Sequence, residues 1–183
     1  MRIIAGKLKG RRLNPPQNLP VRPTTDMARE GLFNILNNYV DFEECSVLDL
    51  FAGTGAMSVE FISRGARAVT AVDINNSCTE YIKSEAMRLE LDNLRVVRAD
   101  VFDMLSRANG RQQFDIVFAD PPYAINGLET LPDLVFSHQM LNEDGIFILE
   151  HPHEYSFEEH PRFWQHRNYG KVNFSFFAMQ LEQ

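Results

Sequence analysis

The sequence predicts an α/β fold in which a doubly wound, mostly parallel sheet of seven strands ends in an antiparallel hairpin. Two observations predict this class. After residue 46, five short and almost continuously apolar segments alternate with helical segments, a pattern typical of parallel strands covered on both faces. The last two strand-like segments meet at Tyr169-Gly170 with no room for a crossover helix, so they are expected to pair antiparallel at one edge.

Length and composition fit a single globular domain. The chain has 183 residues, of which 44% are hydrophobic and 23% are charged, which excludes long disorder, collagen and coiled coil. The sequence contains no run of 18 apolar residues, so no membrane helix is predicted. The first residues turn basic too early for a secretory signal. Cys45 and Cys78 lack disulfide or zinc spacing, so we expect two reduced, partly buried thiols in a cytoplasmic protein. A monomer is the default expectation.

A small basic extension precedes this domain. Residues 1–25 contain six Lys and Arg and no acid, although the whole chain has a net charge of −7. Prolines break any helix there, and short strands are expected around Ile3-Ile4 and Arg12-Leu13. The predicted division is an arm or β-hairpin over 1–25 and a domain over 26–183. A basic arm on an acidic body indicates a polyanionic partner, and a solvated tail is the alternative.

The other elements follow from hydrophobic periodicity. A helix capped by Thr25 or Asp26 is predicted, because one helical face would hold Ala28, Leu32, Ile35, Leu36 and Tyr39. A second helix presents Cys78, Tyr81, Ile82, Ala86 and Leu89. Further helices are predicted over 56–64, 101–107 and 128–138, and strands over 47–51, 68–72, 94–97, 114–119, 145–149, 163–169 and 171–181.

Ligands of a doubly wound sheet bind beyond the carboxyl ends of the strands, so the residues after each strand are candidates for a site. The first strand runs into Asp49-Leu50-Phe51-Ala52-Gly53-Thr54-Gly55, whose glycines allow a sharp turn and a close ligand approach. A dinucleotide site is the alternative, but its fingerprint wants a third small residue, for which Ser58 is a poor match. Asp49 suits a cationic ligand better than a pyrophosphate.

Two more acids follow the second and third strands. Asp73 can accept hydrogen bonds from both hydroxyls of a ribose. Asp100 and the N–H of Val101 can hold the amine and a ring nitrogen of an adenine. Asp100 can also cap a helix, with Asp103 three residues on, and the two roles are compatible.

The fourth strand is followed by Asp120-Pro121-Pro122-Tyr123. Consecutive prolines stiffen the loop and remove two N–H donors, so the Asp120 carboxylate and the Pro121 carbonyl present acceptors only. Two fixed acceptors suit the exocyclic amine of a base, whose N–H groups they would position for reaction. Tyr123 offers a face on which the base can stack. A rigid turn with a packed Tyr is the alternative.

These motifs resemble those of S-adenosylmethionine-dependent methyltransferases of the class I, Rossmann-like fold. The glycine turn is similar to their first motif, and residues 120–123 are similar to the fourth motif of amine-methylating members. Residues 2–6, 10–13 and 22–36 are similar to the RsmD family, which methylates the N2 amine of a guanine in 16S ribosomal RNA. The resemblance covers residues 1 to about 149.

The resemblance implies S-adenosylmethionine as cofactor and small-subunit ribosomal RNA, free or in an assembling particle, as partner. The implied cofactor-binding residues are Asp49, Phe51, Gly53, Gly55, Asp73, Ile74, Asp100 and Val101. The implied catalytic residues are Asp120, Pro121 and Tyr123, and the implied substrate-binding residues are Arg22, Thr24, Lys9, Arg11 and Arg12. Asp73 stands where the family usually has glutamate.

Three other functions remain open from the sequence. They are methylation of an adenine amine in DNA or another RNA, nicotinamide-dependent oxidation and reduction, and non-catalytic RNA binding. The reaction needs no metal, and the sequence predicts surface or cleft-rim positions for His151, His153, His160 and His166. Glu150 is expected near the active site without being a metal ligand. The terminal hairpin is expected to contribute Phe174, Phe176 and Phe177 to the core.

Overall fold

One seven-stranded sheet organises the molecule in the computed structural model, which describes residues 1–19 and 24–180. Its strands are β1 (Ser46–Leu50), β2 (Ala68–Asp73), β3 (Leu94–Arg98), β4 (Phe114–Ala119), β5 (Leu141–His151), β6 (Phe163–Tyr169) and β7 (Val172–Ala178). The helices are α1 (Asp26–Leu36), α2 (Ala56–Ser63), α3 (Asn76–Arg88), α4 (Val101–Ser106) and α5 (Leu131–Ser137). Two short 3₁₀ turns cover Phe42–Glu44 and Leu128–Thr130.

The strand order β3-β2-β1-β4-β5-β7-β6 confirms the predicted fold class. Strands β1 to β5 are parallel, and β7 lies antiparallel between β5 and β6. The chain reverses its direction of strand addition between β1 and β4. That reversal places the crevice of a doubly wound sheet beyond the carboxyl ends of these two strands.

Apolar side chains pack on both faces of the sheet. Helices α1, α2 and α3 cover one face, and α4 and α5 cover the other. The hairpin phenylalanines are fully buried and divide between the two faces, with Phe174 and Phe176 on one and Phe177 on the other. Their predicted role in the core is confirmed, because alternate residues of a strand point to opposite faces.

The N-terminal arm is docked onto α2. Ile3 and Leu13 are buried in the same core as α1 and α2. The expected short strands are reduced to one antiparallel bridge between Arg2 and Arg12. The physical reason is that the N–H groups of Ile4 and Ala5 donate to the buried Glu60 carboxylate, at 2.9 and 3.1 Å. These two groups therefore cannot donate to a neighbouring strand.

Other boundaries differ from the prediction for local reasons. Helix α1 is capped by Thr25 as expected but ends at Leu36, so Tyr39 is exposed and packs edge-on against Trp164. Strand β5 begins at Leu141 instead of residue 145, because a register shift in β4 lets Leu141 pair with Phe114. Strand β7 ends at Ala178, where a bend follows.

Two sequence expectations about the whole chain are also met within the described residues. Cys45 and Cys78 are free, buried thiols, and burial is the main reason that the pKa of each is raised to about 11. Among residues 1–19 and 24–180, no helix is long and apolar enough to cross a membrane.

Candidate active site

A cleft of about 590 Å³ lies beyond the carboxyl ends of β1, β2 and β4. It brings together most of the residues that the sequence singled out, although they are spread over about a hundred positions of the chain. Those in its walls are Thr24, Asp49, Phe51, Gly53, Asp73, Ile74, Asp100, Val101, Asp120, Pro121 and Tyr123. The topology explains this convergence, because parallel strands end at one edge of the sheet.

The turn after β1 has an uncommon backbone conformation. Gly53 and Gly55 have positive φ angles of 57° and 73°, and Phe51 also has a positive φ, 61°, which is rare for a residue with a Cβ. The Phe51 ring packs edge-on against Phe102, with centroids 6.3 Å apart. Gly55 does not line the cleft: it caps α2, and an added Cβ would lie 2.9 Å from Ile82. The strained turn therefore exposes the Gly53 main chain and the Phe51 ring to the cleft.

Asp49 is a buried acid in the wall of this cleft. Asp49 is only 1% exposed, and its carboxylate accepts a hydrogen bond from Ser58 Oγ at 2.5 Å. Burial raises the pKa of Asp49 to about 7, the charge of Asp73 raises it further, and the hydrogen bonds from Ser58 oppose the rise. Ser58 itself is fully buried on α2.

Asp73 and Asp100 stand at the next two strand tips. The two Asp73 oxygens accept the N–H groups of Gly53 and Asn75, each at 2.8 Å, which ties the glycine turn to β2. Asp100 accepts the Asp103 N–H at 2.9 Å, so its predicted cap at α4 is confirmed. Because both acids also line the cleft, each can contact a ligand while it holds its own loop.

The loop after β4 supplies hydrogen-bond acceptors to the cleft. Asp120 is half-buried, Pro121 is buried and Tyr123 is half-buried. A hydrogen bond from the Ile125 N–H to the Pro122 carbonyl, 2.9 Å long, closes the turn. The two prolines lack N–H groups, so this corner of the main chain offers acceptors beside one carboxylate.

Glu150, which the sequence placed near the active site without being a metal ligand, lies in the cleft with Asp120. The Thr24 hydroxyl lies 2.9 Å from Glu150 Oε2 and 3.2 Å from Asp120 Oδ2. The Tyr123 hydroxyl donates to Glu150 Oε1 at 3.4 Å. Sequence reasoning could have found Glu150 as an acid at the tip of the strand next to β4.

Three of the basic residues expected to bind substrate do not line the cleft. Lys9, Arg11 and Arg12 are exposed on the arm. The arm reaches the far end of α2, where the Lys7 N–H donates to the Ser63 carbonyl at 2.7 Å. Ala56, at the other end of α2, lines the cleft, so seven residues of helix, about 10 Å at 1.5 Å per residue, lie between the cleft and Ser63. Arg22 lies outside the described residues.

His151 is buried, contrary to the sequence expectation of a surface or rim position. Its Nδ1 lies 2.9 Å from the Pro152 carbonyl, which can only accept, so Nδ1 carries the hydrogen and Nε2 accepts from Ser175 Oγ at 2.8 Å. Burial lowers the pKa of His151 and favours the neutral ring. In the part of the chain that the structure describes, no cluster of His, Cys, Asp and Glu is arranged to hold a metal.

The fold and this cleft together define a Rossmann-like methyltransferase. An Escherichia coli structure provisionally named methyltransferase yhhF is 28% identical, with a TM-score of 0.84 over 100% of this chain and 99% of that chain. The family described as conserved hypothetical protein 95 matches residues 1–178. The chain therefore belongs to that family, the RsmD family.

Two curated relatives agree with this membership. A Bacillus subtilis (strain 168) protein provisionally named rRNA methyltransferase YlbH is 38% identical over 161 residues, 87% of this chain and 86% of the relative. The Escherichia coli (strain K12) ribosomal RNA small subunit methyltransferase D is 32% identical over 164 residues, 90% of this chain and 81% of the relative.

The cofactor of this class is S-adenosylmethionine. Coclaurine N-methyltransferase, solved with SAH bound, is 26% identical with a TM-score of 0.53, over 70% of this chain and 36% of that chain. The residues of the present cleft fit such a ligand. Asp49 supplies a buried anion for a cationic group, and Asp73 and Asp100 supply oxygen acceptors at the two strand tips beyond it.

Proposed function

We propose that this protein transfers a methyl group from S-adenosylmethionine to the exocyclic N2 amine of a guanine in 16S ribosomal RNA. The observation that carries the proposal is the convergence of the acceptor corner at Asp120 and Pro121 with the carboxylates of the cofactor side in one cleft. The two relatives named for ribosomal RNA methylation support the RNA substrate.

On the cofactor side, Asp73 would accept the ribose hydroxyls, and Asp100 with the Val101 N–H would hold the adenine. Asp49, Phe51 and Gly53 would border the methionine part, with Gly55 shaping the turn and Ile74 flanking the ribose. When bound, the cofactor supplies an electrophilic methyl group on a sulfonium.

On the substrate side, Asp120 and the Pro121 carbonyl would accept the two N–H groups of the guanine amine. An exocyclic amine is a weak nucleophile because its lone pair is delocalised into the ring, and acceptors on both hydrogens localise that pair and aim it. As the amine accepts the methyl group in exchange for the sulfonium bond, Asp120 or water would take the one proton that the amine loses. Tyr123 would stack on the base, which has to leave its helix to enter the cleft.

The arm over residues 1–25 would bind RNA phosphates through Lys9, Arg11 and Arg12, and Thr24 and Arg22 would contact the substrate near the cleft. Because Lys9, Arg11 and Arg12 do not line the cleft, they would hold nucleotides flanking the target. The protein would act in the cytoplasm, as a monomer, on free RNA or on an assembling particle. The oxidoreductase alternative receives no support from the methyltransferase relatives.

The test is methyl transfer to small-subunit RNA by the Asp120→Ala variant. We expect transfer to fall by about a hundred- to a thousandfold, while the affinity for S-adenosylhomocysteine changes less than about threefold. Asp92→Ala, which removes an exposed acid in the turn before β3, should leave both unchanged. Transfer to adenine instead of guanine by the unaltered protein, or equal loss of cofactor binding in Asp120→Ala, would contradict the proposal.

A further inference from the structure

Asp120 and Glu150 occupy matching positions on neighbouring strands. Ala119 of β4 pairs with Leu149 of β5 in parallel register, so the next residues along each strand are Asp120 and Glu150. Residues at the same register position of adjacent parallel strands point to the same face. Both side chains accordingly enter the same cleft.

Thr24 connects the two acids. Its single hydroxyl lies within hydrogen-bond distance of Asp120 Oδ2 and Glu150 Oε2, at 3.2 and 2.9 Å. A hydroxyl has one hydrogen to donate, so it bonds to one of these oxygens at a time, and Thr24 lies within reach of both acids. The Tyr123 hydroxyl holds the second Glu150 oxygen at 3.4 Å.

Glu150 is also well shielded from water, since the residue is 4% exposed. An ionised carboxylate offers acceptor positions only, about four in all, and in a desolvated place a base that presents another acceptor to it is strongly disfavoured. A buried carboxylate beside the amine-binding corner therefore selects a base with a second donor next to its amine.

Guanine has this pattern and adenine does not. The N1–H of guanine is a donor adjacent to the N2 amine, whereas N1 of adenine is an acceptor adjacent to the N6 amine. Bases extruded from a helix are read along this Watson–Crick edge. Two adjacent carboxylates can accept from both donors of the guanine edge, whereas one of them would face the N1 acceptor of adenine.

We propose that Glu150 is a specificity residue, accepting the N1–H of the target guanine while Asp120 and the Pro121 carbonyl hold its N2 amine. The assignment rests on the proposed function and gives it the residue that separates guanine from adenine. Besides its contact with the substrate, Thr24 then helps to position the two carboxylates, because its hydroxyl lies within hydrogen-bond distance of both.

The test uses small-subunit RNA prepared by splinted ligation with guanine or 2-aminopurine at the methylated nucleotide. 2-Aminopurine keeps the amine but presents an acceptor at N1. We expect the unaltered protein to methylate guanine about 100-fold faster in single turnover, as one misread hydrogen-bonding position costs about 1–3 kcal/mol. In Glu150→Gln, whose amide can donate to N1, the ratio should fall below about tenfold.

Glu154→Gln is the matched control, because Glu154 is an exposed acid four residues on, beyond the end of β5; it should keep the original ratio. The missing O6 of 2-aminopurine affects every variant alike, so the change in ratio reports on N1. If Glu150→Gln lost methylation rate equally on both RNAs, Glu150 would have a structural role instead. Equal rates on the two RNAs in the unaltered protein would also overturn the assignment, and that measurement does not depend on whether the variant folds. If the unaltered protein methylated adenine but not guanine, both the proposed function and the assignment of Glu150 would be overturned.

Discussion

The Ser58 hydroxyl donates a hydrogen bond to the Asp49 carboxylate across 2.5 Å, and neither residue is more than 1% exposed. The contact joins the first helix turn of α2 to the end of β1. It places a titratable group, with a pKa of about 7, inside the cofactor cleft. Ligand binding and stability should both respond to this group near neutral pH.

We predict that S-adenosylmethionine binds more weakly as the pH falls below 7. The ionised form of Asp49 attracts a cationic ligand, and near its pKa of about 7 half of the unliganded molecules have lost that charge. Affinity should drop about three- to tenfold between pH 7.5 and 6, with proton release on binding. Calorimetry in two buffers of different ionisation enthalpy measures both, and Asp49→Asn should remove the pH dependence. A flat affinity profile for the unaltered protein would refute this.

Asp49→Asn should also stabilise the unliganded protein at pH 8. The pKa of Asp49 rises from 3.8 to about 7 on folding, so between these values the folded state binds more protons and its stability decreases as the pH rises. The full cost is present above pH 7 and disappears as the pH falls toward 4. We expect a gain of about 1–3 kcal/mol at pH 8 and little gain at pH 4.5, measured by urea unfolding. Equal effects at both pH values would contradict the buried-charge explanation.

The sequence predicted the strand tips well because the chemistry there is local. Asp73, Asp100 and Asp120 each follow an apolar strand whose end is visible in the sequence. Once five parallel strands are inferred, their tips must converge, and the cleft follows. The cap at Asp100 was predictable for the same reason, since it depends on residues three apart.

Contacts between distant segments were not predictable. The role of Glu150 beside Asp120 depends on the β4–β5 register and on Thr24, 126 positions away. The arm failed to form strands because Glu60 takes its N–H groups. Neither interaction produces a periodic pattern in the sequence. The sequence predicted a surface or rim position for His151 because its hydrogen-bond partner, Ser175, lies on another strand.

We predict that Gly6→Ala destabilises the protein strongly because the arm lies directly on α2. A Cβ at Gly6 would lie 1.7 Å from the Ser63 carbonyl oxygen, with φ at +82°. We expect a loss of about 3–4 kcal/mol in the free energy of unfolding. Gly10→Ala is a close control, since its φ is +83° but no atom lies within 4 Å, and it should cost about 1–2 kcal/mol. Equal losses would mean that the arm is not packed there.

Neutralising the arm should weaken RNA binding in a way that salt reveals. Replacing Lys9, Arg11 and Arg12 with Gln removes three exposed charges. If each contacts one phosphate of a single strand, the slope of log affinity against log salt should flatten by about 2. The cofactor affinity should not change, because none of the three lines the cleft.

The control for this triple variant replaces Arg95, Arg107 and Arg111, which line a separate cavity beside α4, on the opposite face of the sheet from the arm. It removes the same number of charges, so both variants change the net charge of the molecule equally. A flattened slope in the arm variant alone would locate the phosphate contacts on the arm. Equal flattening in both would show that RNA responds only to the overall charge, and an unchanged slope in the arm variant would show that residues 1–25 do not bind phosphate.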